Sequence, residues 1–216
     1  MEQEKNKPWA FSRRAFCDGM RDGFPIALGY FAVAFSLGIA ARHAGFTPMQ
    51  GFWASLLNNA SAGEYAAFTL IAAKATYWEV AVITLIANAR YLLMSCALAQ
   101  RFALGTPFWH RLVIGYDVTD ELFGITIARP GHLNPYYTYG AILLAAPGWA
   151  VGTALGIMAG NALPLRVVSA LSVALYGMFL AIIIPPARKN HTIAGLVALS
   201  FALSLACNYL PGISAM

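Results

Sequence analysis

Long apolar stretches, separated by short polar segments that often contain proline or glycine, follow one another along most of the chain. About 20 consecutive apolar residues are enough for a helix to cross the hydrocarbon core of a bilayer. The pattern therefore predicts an all-α, polytopic helical membrane protein with about seven transmembrane segments, or six if the ambiguous fourth one does not cross. The predicted segments are Phe24–Ala41, Gln50–Ala73, Glu79–Leu98, Leu112–Ala128, Tyr136–Met158, Leu163–Ile184 and Thr192–Leu210.

The composition agrees with a membrane protein. Hydrophobic residues make up 59% of the 216 residues and charged residues 11%, whereas a soluble domain carries roughly 25% charged residues. Pro8–Arg21 mixes aromatic and basic residues, which is typical of a short amphipathic helix at a membrane interface. We therefore expect a cytoplasmic or interfacial segment at residues 1–22 and a transmembrane domain at residues 23–216. No cleavable signal peptide is expected, because Met1–Pro8 is polar.

Basic residues indicate the orientation in the membrane. Those ahead of the first span place the N-terminus in the cytoplasm by the positive-inside rule. Seven spans bring a second group of basic residues to the same side, and six spans fit less well. The first group is Lys5, Lys7, Arg13, Arg14 and Arg21, and the second is Lys74, Arg129, Arg188 and Lys189. The net charge of +5 is thus explained by topology and lipid contact, and nucleic-acid binding is not expected.

A short internal repeat is possible. Leu37-Gly38-Ile39-Ala40 is echoed by Leu155-Gly156-Ile157-Met158, and repeats of this kind are common in transporters. Seven spans would make the two copies parallel and six would make them inverted, while chance similarity between helices rich in small residues is the alternative. The glycines at 152, 156 and 160 predict a face for close helix packing.

The second predicted span has a polar centre. Asn58, Asn59, Ser61 and Glu64 interrupt an apolar run, and Gly63 with Ser61 lowers the helix propensity there. An unwound helix at this point would free backbone carbonyls and amides to bind the ammonium and carboxylate groups of a substrate. Glu64 could carry a coupling proton, because an apolar environment favours the neutral carboxyl group. The alternative is that Glu64 pairs with a buried cation and only holds helices together.

The third span contains Asn88 and Arg90. An arginine inside a span must be paired or reached by water. Its planar guanidinium group could bind a substrate carboxylate with two hydrogen bonds. It could equally be the structural partner of Glu64, and the sequence does not decide between these two roles.

Three carboxylates lie in the ambiguous fourth segment. Asp117, Asp120 and Glu121 fall on one face if Leu112–Ala128 is a continuous helix. Each would cost roughly 2.5–3.5 kcal/mol against lipid at the centre of the bilayer. The segment is therefore either shielded within the bundle, where the carboxylates serve gating or proton transfer, or it is a re-entrant or surface helix. A solvated face is the simpler alternative, most of all for Asp117.

Signals for an enzyme are absent from the sequence. No catalytic triad, zinc-peptidase motif or phosphate-binding loop occurs. Cys17, Cys96 and Cys207 have no metal-binding spacing. We therefore expect no cofactor, no metal site and no enzymatic activity.

The order of several short motifs resembles the AzlC family, the large subunit of two-component branched-chain amino-acid exporters. The matching elements are Gly19–Asp22 with Pro25, the Phe35–Gly45 stretch, Asn88–Leu93 and Thr119–Glu121. The resemblance implies proton-driven export across the bacterial inner membrane and a small AzlD-type membrane subunit as partner. The second span departs from the family pattern, because Glu64 stands where the family usually has a glutamine.

These observations predict a permease subunit that exports a small amphipathic solute, most simply a branched-chain or other amino acid. Asn58, Asn59, Ser61, Gly63 and Glu64 would form the substrate site together with Asn88 and Arg90. Glu64 would also join Asp117, Asp120 and Glu121 in proton coupling or gating. The alternatives are a non-transporting scaffold or accessory subunit and, with less support, a membrane enzyme.

Overall fold

Helices form nearly all of the regular structure in the computed structural model, which describes residues 7–159, 166, 180, 184, 185 and 187–209. In chain order the helices are α1 (Arg13–His43), α2 (Pro48–Asn58), α3 (Ser61–Ala72), α4 (Tyr77–Ala87), α5 (Arg90–Ala99), α6 (Phe108–Tyr116), α7 (Asp120–Ile127), α8 (Pro135–Ala159) and α9 (His191–Tyr209). The chain divides into two compact units, Met1–Leu175 with α1–α8 and Tyr176–Met216 with α9. The all-α class predicted from the sequence is confirmed for the described residues.

Two helices of the described part, α1 and α8, are each long and apolar enough to cross a membrane. The pair α4–α5 passes the same test only when it is taken as one span with a 48° bend. By length and composition the described residues therefore contain two or three spans. The predicted count of seven is not reached on this measure, and the predicted span Leu163–Ile184 falls largely outside the described residues. The predicted span Thr192–Leu210 corresponds to α9, an apolar helix.

The first helix is longer than the sequence suggests. It begins at Arg13, and the hydroxyl of Ser12 caps the N-terminus by accepting from the amide of Ala15 (3.2 Å). The helix then continues through Pro25 to His43. The prediction of a separate interfacial helix at Pro8–Arg21 was wrong, since most of this segment forms the start of α1. Proline weakens a helix interior by removing one hydrogen bond, but here the packing of α1 along α8 spans both sides of Pro25.

The central contact of the first unit joins α1 to α8. Gly140 lies against the backbone of Phe16, and Gly152 lies against that of Phe31. Further along both helices, Gly156 lies against the backbone of Phe35 and Gly38. Contacts therefore advance in the same direction on both helices, so α1 and α8 are parallel. Glycine and alanine at these positions allow the two backbones to approach closely.

This contact bears on two predictions. The packing face at 152 and 156 is confirmed, and residue 160 lies outside the described residues. Gly38 and Gly156 belong to the two copies of the short repeat, and they meet at the same level of the parallel pair. A parallel arrangement is what seven spans would require, although the span count and the repeat stay predictions.

Three predicted spans are each broken into two helices. Gln50–Ala73 corresponds to α2 and α3, Glu79–Leu98 to α4 and α5, and Leu112–Ala128 to α6 and α7. The first break is at Asn59, whose backbone is left-handed (φ 41°, ψ 41°), followed by an extended Ala60. Asparagine adopts this conformation more readily than most residues. The predicted unwinding is therefore confirmed, but it lies just before Ser61 and Gly63, which belong to α3.

A methyl group added at Gly156 tests the close α1–α8 contact. The added Cβ of Gly156→Ala would overlap the carbonyl of Phe35, and overpacking of this kind costs about 1–3 kcal/mol. We expect a lower temperature of thermal unfolding in detergent. The control is Gly195→Ala in α9, where nothing lies within 4 Å. It should be neutral or stabilising by up to about 1 kcal/mol, because alanine is the better helix former. A stabilised Gly156→Ala variant would contradict the contact.

Candidate functional site

Three helix breaks meet in the first unit. The side chain of Asn59, at the α2–α3 break, donates to Asp117 at the α6–α7 break (2.6 Å). The hydroxyl of Tyr116 donates to the carbonyl of Leu57 (2.5 Å), which joins the same two breaks. The α4–α5 break is joined to the α6–α7 break by an ion pair described below. Broken helices leave polar backbone groups unpaired, so their meeting concentrates polarity inside an apolar bundle.

We call the side chains gathered around these breaks the polar centre. It contains Tyr30, Ser55, Asn59, Glu64, Asn88, Arg90, Asp117, Thr119, Asp120, Glu121, Trp149 and Thr153.

Glu64 lies in the first turn of α3 and is 1% exposed. Its carboxyl group accepts from the hydroxyl of Ser55 in α2 and from the indole N–H of Trp149 in α8 (2.7 Å). The hydroxyl of Thr153 lies 2.7 Å from that of Ser55 and can donate to it. A glutamate buried without a cation is costly in its charged form. Here only neutral donors reach it among the described residues, an arrangement that suits a carboxyl group that gains and loses a proton.

Arg90 does not pair with Glu64. Its Nε and Nη2 atoms donate to the two carboxylate oxygens of Asp120 (3.0 and 2.9 Å), while Nη1 donates to the carbonyl of Ala87 (3.3 Å). Such a two-pronged contact is the strongest geometry for an arginine and a carboxylate. The side chains are 38% and 24% exposed. The Glu64–Arg90 pair considered from the sequence is thus not formed, and Arg90 could bind a substrate carboxylate only by releasing Asp120.

Tyr30 of α1 connects Glu121 to the side chains around Glu64. Its buried hydroxyl donates to Glu121 of α7 (2.6 Å) and contacts the hydroxyl of Thr119. Its ring packs edge-on against Trp149, with centroids 5.2 Å apart. Trp149 is a hydrogen-bond donor to Glu64 and Tyr30 is a donor to Glu121, so the contact between the two rings joins the surroundings of both carboxyl groups. A buried tyrosine usually finds a partner for its hydroxyl, and here that partner links α1 to α7.

The carboxylates of the fourth segment do not share one helical face as predicted. Asp117 ends α6, whereas Asp120 and Glu121 begin α7 after a break at which the hydroxyl of Thr119 caps α7. Asp117 and Glu121 are buried, so the solvated face considered for Asp117 is wrong. Shielding, one of the two alternatives considered for this segment, is observed for Asp117 and Glu121, whereas Leu112, Val113 and Tyr116 of the same segment are exposed.

The remaining predicted residues lie nearby. Gly63 is buried directly against the side chain of Asn88, so any larger residue there would displace the amide. Ser61 opens α3 and is partly exposed. Asn58 and Asn88 line a cavity of about 750 Å³ between α3 and α4.

This cavity has apolar walls and a polar end. Asn58, Thr84 and Asn88 are the polar lining residues, and the Thr84 Oγ1 and Asn88 Oδ1 atoms are buried without a hydrogen-bond partner. Its volume falls in the range of small-molecule sites. The apolar walls are formed by Ala67, Ile71, Ala75, Tyr77, Val80, Ala81 and Leu85.

Several residues of the polar centre were missed by sequence reasoning. Tyr30, Ser55, Trp149 and Thr153 sit singly in apolar helices. Single hydroxyl and indole groups are common in apolar helices, and no sequence motif marks these four. Glu64 lies nine residues from Ser55, but the other partners are far away along the chain, up to 98 residues for Ser55 and Thr153, so only the packed structure identifies the group.

The described residues thus define a helical membrane protein whose broken helices surround buried carboxyl groups. The family model described as AzlC protein matches residues 25–163, more than half of the chain. The chain therefore belongs to the AzlC family, as its motifs indicated.

Similar proteins are also membrane proteins. An uncharacterized membrane protein of Archaeoglobus fulgidus is 32% identical over 194 residues, covering 87% of this chain and 85% of that protein. Inner membrane protein YgaZ of Escherichia coli is 24% identical over 197 residues, covering 88% and 80%. An uncharacterized membrane protein of Helicobacter pylori is 25% identical over 153 residues, covering 68% and 66%. No solved structure matches the chain.

Two double-mutant cycles test the pairing of Arg90. Arg90→Gln combined with Asp120→Asn should show a coupling of about 1 kcal/mol in the free energy of unfolding, because the pair is two-pronged but partly exposed. Arg90→Gln combined with Glu64→Gln should be additive within about 0.5 kcal/mol, as expected for groups without a shared contact. Denaturation in mixed detergent micelles measures both. Strong coupling in the second cycle would contradict the assignment of partners.

Proposed function

We propose that the chain is the large subunit of a proton-coupled transporter that exports a small amphipathic solute. The best candidate is an amino acid with an apolar side chain. The observation that carries this proposal is the meeting of three helix breaks around buried carboxyl groups. Broken helices near the middle of a membrane are a recurrent way to build substrate and ion sites, because their ends present unpaired carbonyls and amides.

The α2–α3 break suits a zwitterion. The end of α2 presents carbonyl groups, and the start of α3 presents amide groups, so the two helix ends carry partial charges of opposite sign. An amino acid carries an ammonium and a carboxylate group on one carbon atom. The cavity between α3 and α4 supports an apolar side chain, since Ile71, Val80 and Leu85 form part of its walls.

Glu64 is our candidate for the coupling proton. Its two donors, Ser55 and Trp149, satisfy the ionised carboxylate without neutralising it. The loss and gain of a proton therefore change the charge of the polar centre without breaking an ion pair. Asp120 and Glu121 tie α7 to α5 and α1, respectively, and we assign them to gating.

Family membership and charge support a proposal for the setting of the protein. We place the protein in the bacterial inner membrane with its N-terminus in the cytoplasm and a small AzlD-type membrane subunit as its partner. Trp78, Ile86, Leu92 and Leu93 are exposed on α4 and α5, and this surface suits contact with lipid or another membrane helix. We propose transport rather than an enzymatic reaction.

Cells lacking the protein test the exporter. Under a load of a leucine-containing dipeptide, they should accumulate more intracellular leucine and release less into the medium than cells that express it. Quantification of leucine in cells and medium measures this. Unchanged levels for leucine, isoleucine and valine would refute export of these solutes and favour a scaffold role.

The proton role of Glu64 has a matched control. Glu64→Gln keeps the size of the side chain, removes its titration, and should abolish the dependence of export on external pH while lowering the rate. Glu79→Gln makes the same chemical change at an exposed capping-box position of α4, where glutamine also serves, and should transport normally. Assays in proteoliposomes with an imposed pH gradient compare the two. Full, pH-dependent transport by Glu64→Gln would eliminate Glu64 as the proton carrier.

The partner is tested by tagging this chain in its native host at its own gene locus. A small polytopic membrane protein should copurify in mild detergent in a constant ratio. Export should require both subunits in proteoliposomes. Full export by this chain alone would refute an obligatory partner.

A further inference from the structure

The contact between Asn59 and Asp117 joins the C-terminal ends of two helices. Asn59 is the residue at which α2 ends, and Asp117 is the residue at which α6 ends. Helix C-termini carry partial negative charge from their unpaired carbonyl groups. Asp117 adds a carboxylate to this place, and both side chains are 5% exposed. The helices α3 and α7 begin two and three residues further on, and their N-termini carry the opposite partial charge, so the negative charge at this buried point comes from the Asp117 carboxylate.

Hydrogen bonding leaves two oxygen atoms free there. The amide nitrogen of Asn59 must face Asp117, since only the nitrogen can donate to a carboxylate. This leaves Asn59 Oδ1 and Asp117 Oδ2 buried and without a hydrogen-bond partner. Both groups are planar and share one 2.6 Å contact, so both free oxygens lie close to it. Both can only accept hydrogen bonds while Asp117 is ionised.

The other carboxylates of the polar centre are better satisfied. Asp120 is neutralised by Arg90, Glu121 accepts from Tyr30, and Glu64 accepts from two donors. Asp117 has one neutral donor and, among the described residues, forms neither of the two ion pairs. Unpaired buried acceptors of this kind are uncommon in native structures and call for a donor.

We propose that Asn59 and Asp117 bind the primary ammonium group of the transported solute. The proposal deepens the export function and rests on it for the identity of the solute. An ammonium group supplies positive charge and three N–H donors in one small group, which matches a buried carboxylate and two free acceptor oxygens. Asp117 is then a substrate-binding residue, in place of the coupling or gating role suggested by its sequence.

A binding measurement on the purified full-length chain tests the site without transport. The probe is 3-methylbutylammonium chloride, a primary ammonium with a branched apolar tail. It should raise the temperature of thermal unfolding in detergent in a saturable way, because ligands that bind the folded state stabilise it. Tetramethylammonium chloride and sodium chloride at equal ionic strength should not, since neither carries an N–H donor.

Two variants locate the effect. Asp117→Asn should weaken the apparent affinity for the probe by about 10- to 100-fold, the usual weight of a hydrogen bond to a charged group. Asn59→Gly should weaken it as well, and glycine keeps the left-handed backbone at this position. Thr138→Val is the control, because Thr138 is also buried with an unpartnered oxygen but lies in α8 outside the polar centre. It should bind the probe like the parent protein.

The outcomes separate this site from the export function. An equal shift with sodium or tetramethylammonium, or an unchanged affinity in Asp117→Asn, would overturn the ammonium site. Leucine export with an unchanged KM in Asp117→Asn would overturn the site and leave the exporter standing. An Asp117-dependent amine shift in a protein that exports no amino acid would support the site and refute the amino-acid exporter.

Discussion

The close, parallel contact between α1 and α8 is the packing on which the polar centre depends. Glycine and alanine let the two backbones touch, so the side chains on either side of the seam are held at defined positions. From this seam α1 contributes Tyr30, while α8 contributes Trp149 and Thr153. These three side chains hold the broken helices through hydrogen bonds. A wider seam would separate the donors from the carboxyl groups that they satisfy.

The second constraint is the cost of unpaired polar groups inside an apolar bundle. The hydrogen-bond partners that lower this cost differ from one carboxylate to the next. Glu64 is held by neutral donors, Asp120 by an arginine, and Asp117 by a single amide. Because the surroundings differ, the carboxylates are suited to different roles in transport. The proposed proton carrier and the proposed cation site therefore lie in one small region with the Arg90–Asp120 ion pair.

Sequence reasoning recognised the class of protein, the family and the positions of unusual polarity. A break in the second span was predicted from the low helix propensity of Ser61 and Gly63, but both residues lie in α3 and the break falls at Asn59. The same reasoning failed for Leu112–Ala128, where helical periodicity placed three carboxylates on one face. The chain instead breaks after Asp117, and Thr119 begins a new helix with its hydroxyl as cap. The Thr119-Asp120-Glu121 motif is compatible with a continuous helix and with a helix break, and tertiary contacts decide between the two.

By itself, the sequence determined the membrane-spanning helical character and the small-residue faces of α1 and α8. Both follow from local composition and from spacing along one helix. Only the tertiary structure decided the partners of the polar groups. Arg90 meets Asp120 rather than Glu64, and Asn59 meets Asp117, because the three breaks converge in space. Pairing between groups 30 and 58 residues apart depends on how helices pack, and no pattern within one helix specifies that.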